Sequence, residues 1–338
     1  MSNFSLLITK WFRQNKRELP WRDVSDPYLI WLSEIILQQT KVDQGLSYYT
    51  KFSKKYPTVE HLANAKEIEV LREWQGLGYY SRARNMHYSA KLIVAEYNGI
   101  FPSSFEVILG LKGVGNYTAA AIASIAFHQK KGVVDGNVYR VLSRVFDIAI
   151  PIDSGNGKRH FQQLADALIS EINPGEHNQA LMEVGATICA PKNPNCNSCP
   201  LNGMCAALQN KTIELRPVKK KKTKVKNRYF HFLLYTTENE VIIEKRNQKG
   251  IWYNMYQFPL IESVAPESSI SSSLSQSKIK ESEEIIHRLS HQKIHATFHH
   301  FDTFPSVIES NWLVINKDQI TNYPLPRLID RYLEHNMI

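Results

Sequence analysis

The chain's cysteines, Cys189, Cys196, Cys199 and Cys205, fall within 17 residues at the spacing C-x6-C-x2-C-x5-C. Thiolates gathered on one loop can share a soft metal centre. Pro191, Pro194 and Pro200 stiffen that loop and lower the entropy lost in gathering ligands. Zinc sites usually carry two C-x2-C pairs. A single such pair is present, which favours an iron–sulfur cluster, with unliganded thiols as the plain alternative. Disulfides are not expected, because Met1-Ser2-Asn3-Phe4-Ser5 has no export-type pattern.

Two carboxylates stand out by their surroundings. Asp26 and Pro27 are the residue types that start a helix, and from Tyr28 to Leu37 only Ser33 and Glu34 are polar. If buried, a carboxyl on so apolar a helix has a raised pKa that suits a general acid near neutral pH. The alternative is a solvent-facing Glu on an amphipathic helix. Asp135, within Val133–Leu142, precedes another helical stretch and reads as its N-cap, which would also hold the carboxylate rigidly. Between the two lies Leu111-Lys112-Gly113-Val114-Gly115-Asn116-Tyr117-Thr118, leading into the apolar run Ala119–Phe127. Its glycines permit a tight helix-to-helix turn. Unpaired amides at Gly113, Val114 and Gly115 would then form a phosphate site that reads no sequence. A plain helix connection has the same pattern.

The elements that position these groups follow from composition. The chain has 338 residues, 43% hydrophobic and 22% charged, which suits two globular domains. No apolar stretch approaches the roughly 18–20 residues of a membrane span, so no membrane partner is expected. Net charge is +9, and residues 211–228 hold nine basic side chains against one acidic, while residues 229–338 are net −3. The basic run Val218–Lys226 repels itself and reads as an exposed linker, either solvated or strapped along phosphates. Before it, apolar residues recur at helical spacing. After it, Tyr229–Tyr235 and Glu240–Lys245 are aromatic or β-branched and read as strands. The expected organisation is a mainly α domain over 1–210, a linker over 211–228 and an α/β domain over 229–338. Ser268–Ser275 would be a polar connection inside the last.

Together these motifs resemble the helix–hairpin–helix DNA glycosylases of the endonuclease III superfamily, and more closely the MutY-type adenine DNA glycosylases. The resemblance runs from Trp11 to about Phe301. Besides the hairpin and the cysteines it rests on Leu19-Pro20-Trp21-Arg22, Trp31-Leu32-Ser33-Glu34 with Gln38-Gln39-Thr40, Gly76–Asn85, Asp135-Gly136-Asn137-Val138 and Asn178–Ala186. It implies a helix–hairpin–helix glycosylase domain whose loop 189–205 holds one [4Fe–4S] cluster, followed by a C-terminal Nudix-like domain. Gly250-Ile251-Trp252 and Gln257-Phe258-Pro259 carry the latter likeness. No Gly-x5-Glu-x7-Arg-Glu pattern occurs, so pyrophosphatase activity is not expected.

The implied activity is base excision repair by a monofunctional glycosylase. It hydrolyses the N-glycosidic bond of adenine opposite 8-oxoguanine or guanine after flipping the adenine from the duplex. By resemblance, Glu34 protonates adenine at N7 and Asp135 stabilises the oxocarbenium-like sugar, as paired carboxylates do in glycoside hydrolysis. Tyr117 and Asn137 position this site. Trp21, Arg22, Leu37 and Gln179 match the adenine pocket, Gln39 and Tyr79 match wedging residues, and Thr40 and Leu77 match neighbours of the opposite 8-oxoguanine. Bifunctional relatives carry lysine where Tyr117 stands, and a phenol forms no Schiff base, so strong strand cleavage is not expected. A thymine or uracil mismatch glycosylase shares the fold and can carry Tyr there, but is not expected to combine Glu34 with the C-terminal domain. The resemblance further implies a monomer in the cytoplasm at the nucleoid, with a repair or replication protein such as a sliding clamp at the linker.

The family's lesion-sensing loop commonly reads Phe-Ser-His. Its expected counterpart is His295–Phe301, where Phe298 and His300 match and His299 replaces the serine. Imidazole is larger than a hydroxyl and gains charge below about pH 6.5. Discrimination of 8-oxoguanine from guanine is expected here, with its loss in His300→Ala.

Overall fold

The computed structural model describes residues 3–220, 225–263, 280–281 and 284–336. The chain forms two compact units, Met1–Asn64 with Asn85–Lys221, and Ala65–Arg84 with Lys222–Ile338.

The first unit is helical, and its core gathers Phe4, Ile8, Phe12, Val138, Leu142, Phe161, Leu181 and Val184 from four helices and the chain between them. The helix Pro27–Leu37 starts as its sequence demands, with the Asp26 side chain accepting from the Tyr28 amide at 2.8 Å and Pro27 in the first turn. Tyr28, Ile30, Trp31, Leu32, Ser33, Ile35 and Ile36 are all buried. A helix this apolar cannot lie on a surface, and it packs against Val42–Lys55 and Asn116–Phe127. The helix ends at Leu37, and Gln39 then takes a left-handed φ of 56° that turns the chain outward.

The second unit holds two sheets. In one, Lys226–Tyr235 lies between Leu260–Ser263, antiparallel, and Gln292–Phe301, parallel, with Tyr235 opposite Phe301. Ile285–Arg288 and Lys280–Glu281 pair with the far side of Gln292–Phe301. The other sheet has Glu240–Lys245 between Tyr256–Gln257 and Trp312–Asn316. Phe230 through Tyr235 are buried without alternation, as a central strand covered on both faces requires. Leu233, Tyr235, Ile242 and Phe301 form an apolar cluster there.

Two expectations about organisation change. Ala65–Arg84 packs in the second unit: Gln75 Nε2 donates to Asp330 at 3.0 Å, Gln75 Oε1 accepts from the Leu325 amide at 3.2 Å, and Asn254 donates to Glu67 at 2.7 Å. The basic stretch is also less free than its charge suggests. Arg216 pairs with Asp147 at 2.9 Å, the Val218 carbonyl accepts from Ile152 at 3.0 Å, and the Lys220 amide donates to Asp153 at 3.0 Å. Lys226 already opens a strand. Lys221–Lys224 and the serine tract Ser268–Ser275 lie outside the described residues.

Candidate active site

Within the first unit, a cavity of about 200 Å³ is lined by Trp21, Arg22, Glu34, Leu37, Thr40, Tyr117, Asp135, Asn137 and Gln179. Residues chosen from scattered motifs thus meet in one place. Glu34 keeps part of its surface on the cavity, yet the protein packed around it disfavours charge. Burial pushes its carboxyl up to about 7, against a hydrogen bond from Tyr117 and with help from the Asp135 charge. The Tyr117 hydroxyl is itself pushed upward by burial and stays protonated, lying 3.3 Å from Met182 Sδ.

Asp135 caps the helix Gly136–Val145, with Oδ1 accepting from the Val138 amide at 2.7 Å. Oδ2 accepts from Asn137 Nδ2 at 2.8 Å. Burial raises its carboxyl above the ordinary value, opposed by these hydrogen bonds and by Arg140. Arg140 links this carboxylate to the cysteine loop. Its guanidinium donates to Asn137 Oδ1 at 2.8 Å, to the Gly185 carbonyl at 2.7 Å and to the Cys189 carbonyl at 2.6 Å. Gly185 must be glycine, since a Cβ there would come 2.6 Å from Asn137 Cβ.

The floor of the cavity rests on a group that sequence reasoning left without a role. Glu183 is fully buried and accepts from Arg17 at 2.7 and 2.9 Å and from Arg22. Burial pushes its carboxyl up, and the two arginines more than reverse this, leaving it below the usual range. Arg22 also donates to Gln179 Oε1 at 3.2 Å, and its Nε is buried without a partner. The available signal was spacing: Glu183 follows Gln179 by one helical turn and so shares its face.

The glycine turn joins Phe105–Gly110 to Asn116–Phe127 as expected. Gly113 has φ +84°, and Gly115 caps the second helix without a side-chain bond. Val114 turns its side chain inward while Gly113 and Gly115 stay exposed, leaving backbone to face a partner. A Cβ on Gly113 would come 2.7 Å from Asn85 Cβ. Gly113→Ala is therefore expected to destabilise the protein by about 1–3 kcal/mol. Urea unfolding reads this, and an unchanged midpoint would reject the strain.

All four cysteines line one small apolar cavity with Arg144 on its wall. An Arg144 N–H lies 3.4 Å from Cys189 Sγ, and the Cys205 thiol faces the Arg144 carbonyl at 3.5 Å. Burial pushes the Cys199 thiol up to about 11. Among the described residues, no three histidine, cysteine or acidic groups meet closely enough to hold a single metal ion. Four cysteine thiols around one small cavity are a donor set that fits an iron–sulfur cluster.

The second unit buries Phe298 and His299 of the expected lesion loop. Phe298 is fully buried, its ring stacked 3.6 Å from that of Tyr332. His299 is 4% exposed, with Nε2 3.2 Å from His231 Nδ1. His300 bonds the Tyr332 hydroxyl. All three lie inside the strand Gln292–Phe301, where Phe298 and His299 are packed under Tyr332 and His231 and cannot reach a partner at the surface. The exposed turn is Leu289-Ser290-His291, joining Ile285–Arg288 to Gln292–Phe301. Its apolar-Ser-His order follows the Phe-Ser-His pattern and was available in the sequence. Ser290 contacts the Tyr79 hydroxyl, and Tyr79 is 43% exposed at a φ of 49°. A cavity of about 350 Å³ lies beside Tyr79, Arg84, Trp252, Arg288 and Ser290. Leu77, expected beside the lesion, is 6% exposed and packs inward; Gln39 is exposed.

Comparison with known proteins adds to this geometry. Residues 32–165 match the HhH-GPD superfamily of base excision DNA repair proteins, and residues 230–335 match the NUDIX domain. The adenine DNA glycosylase of Buchnera aphidicola subsp. Baizongia pistaciae is 35% identical over 324 residues, covering 94% of this chain and 88% of that protein. The adenine DNA glycosylase of Rattus norvegicus is 46% identical over 211 residues, which is 60% of this chain and 41% of the rat protein. Of solved structures, a thermostable thymine-DNA glycosylase aligns with TM-score 0.57 and 30% identity over 61% of this chain and 95% of its own. A non-covalent endonuclease III–DNA complex aligns with TM-score 0.53 and 22% identity over 62% of this chain and 94% of its own, a likeness of fold.

Proposed function

Because the chain belongs to the adenine DNA glycosylases, within the HhH-GPD superfamily of base excision repair proteins, we propose that it hydrolyses the N-glycosidic bond of adenine in duplex DNA and leaves an abasic site. The observation that carries this reading is the presence, in one cavity, of Glu34 with its carboxyl raised to about 7 and Asp135 held by donated hydrogen bonds. Glu34 delivers a proton to N7 of the flipped adenine. The C1′–N9 bond then breaks, its electron pair leaving on the protonated purine. Asp135 stabilises the cationic sugar until water adds at C1′ and loses a proton. Arg22, with a buried and unpartnered Nε, offers a donor to the base, and Glu183 keeps that guanidinium in place. Tyr117 and Asn137 orient the two carboxylates. The exposed Gly113–Gly115 turn holds the DNA backbone through its amides.

Tyr117 has no amine with which to attack the sugar, so the reading is of a monofunctional enzyme. After complete base release, the strand is expected to stay intact on a gel until alkali is added. Strong cleavage without alkali would count against this. The mispair read most efficiently is adenine opposite 8-oxoguanine, with Tyr79, Ser290 and His291 as the recognising surface. Ser290→Ala is expected to reduce the preference for 8-oxoguanine over guanine about fivefold, the loss of one modest hydrogen bond. His299→Ala should leave that preference intact and lower stability. The reverse pattern would restore the buried strand as the sensor.

Cys189, Cys196, Cys199 and Cys205 would hold one [4Fe–4S] cluster, which supplies order to their loop rather than chemistry at the sugar. The deciding experiment is single-turnover base release from adenine:8-oxoguanine, adenine:guanine and thymine:guanine duplexes. Adenine release is expected from the first two. Release of thymine alone would shift the reading to a thymine mismatch glycosylase. The protein acts as a monomer in the cytoplasm at the nucleoid, and the basic stretch beyond Val218 adds salt-dependent attraction to DNA and a place for a repair or replication protein to dock.

A further inference from the structure

We propose that the second unit carries a separate pocket for a guanine-type base, formed around Glu244, Arg246 and Gln257. A cavity of about 260 Å³ there is lined by Glu244, Lys245, Arg246, Gln248, Gln257 and Glu262, among others. It shares no residue with the cavity beside Tyr79.

Two of its polar groups, Gln257 and Arg246, are buried and incompletely used. Gln257 is 1% exposed; its Nε2 donates to Glu244 Oε1 at 2.8 Å, and its Oε1 has no hydrogen-bond partner. Buried acceptors are rarely left so, and one lining a cavity points to a donor from outside. Glu244 stands opposite Gln257 in the sheet register, and its carboxylate is already occupied, accepting from Asn311 at 3.3 Å, from Trp312 and from the Leu260 amide. Arg246 is 6% exposed. Its Nε donates to the Ile251 carbonyl at 3.1 Å, and one terminal nitrogen reaches Gln248 Oε1 at 3.4 Å. Glu262 is taken by Arg228 at 2.7 and 2.6 Å, so Arg246 retains donors for a further acceptor.

The cavity thus offers both spare donors, on Arg246, and an acceptor without a partner, Gln257 Oε1. Guanine fits this pairing. Its O6 and N7 are acceptors that a guanidinium meets in a bidentate manner. Its N1–H and 2-amino group are donors for Gln257 Oε1. Adenine has no donor at N1, and it puts an amino group where the guanidinium needs an acceptor. The volume lies just below the range of drug-sized sites, which suits a base rather than a larger ligand.

The test titrates the full chain with guanosine, inosine and adenosine by isothermal titration calorimetry, alongside Gln257→Leu and Arg246→Met, with thermal melting as the check on folding. Guanosine is expected to bind saturably, inosine more weakly for want of the 2-amino group, and adenosine about tenfold more weakly or less. Folded Gln257→Leu should lose about tenfold in guanosine affinity. If Arg246→Met melts early, Gln257→Leu decides alone. Absence of saturable guanosine binding, equal binding of adenosine, or unchanged affinity in folded Gln257→Leu each overturns the proposal. Glu34→Gln should bind guanosine as the parent does, so this proposal and the assigned base-release activity fail separately.

Discussion

Glu34→Gln is expected to release adenine about 10²–10⁴-fold more slowly than the parent, the usual worth of a positioned general acid. Glutamine keeps the shape of the side chain and the contact with Tyr117 but has no proton to give. The pH dependence follows from the same environment. With the Glu34 carboxyl at about 7, the acid form dominates below neutrality and is lost above it. In the parent, kcat/KM should therefore fall about tenfold per pH unit above about pH 7, and Glu34→Gln should lack that limb. A stability measurement separates this from misfolding. The folded-state pKa lies above the model-peptide value of 4.5, so ionised Glu34 weakens the native state as pH rises through that interval. Glu34→Gln should accordingly melt higher than the parent at about pH 8, and the difference should vanish below about pH 4.5. A kcat/KM flat to alkaline pH in the parent, or near-parental release by Glu34→Gln, would remove Glu34 from the mechanism.

Asp135→Asn tests the opposite role. Asparagine caps helices as well as aspartate does, so the bond from the Val138 amide survives. The bond from Asn137 Nδ2 is lost or reversed, because an amide cannot accept at both termini. The fold should lose only about 1 kcal/mol. Base release should nonetheless fall about 10²–10³-fold, since a neutral amide cannot balance the charge of a cationic sugar. Single-turnover release and thermal melting on one preparation give both numbers. Near-parental release with a normal melt would reduce Asp135 to a helix cap.

Much of this site could be read from the chain alone because the decisive effects were local. Asp26 and Asp135 are caps because a short carboxylate at a helix start meets amides two or three residues on. Gly113 is required by a positive φ within a single turn. The cysteine spacing places four sulfurs on one short loop whatever surrounds it. The polarity of Glu34 was evident against its helix, although the surroundings that disfavour its charge came from Val42–Lys55 and Asn116–Phe127 packing on that helix.

The strand Gln292–Phe301 and the turn before it show where local reading ends. Phe298-His299-His300 and Leu289-Ser290-His291 offer comparable residue types, and nothing within either triplet says which is exposed. Packing of Tyr332 and His231 buries Phe298 and His299 of the first triplet, while the pairing of Ile285–Arg288 with Gln292–Phe301 leaves the second as the turn between strands. The Arg22–Glu183 pair and the packing of Ala65–Arg84 with the second unit likewise join residues far apart in the chain. Which chemical groups this protein holds, and the short-range geometry of each, could be read along the chain. Which of them share a cavity, become buried or stay exposed could not, because burial and strand pairing depend on segments brought together from distant parts of the chain.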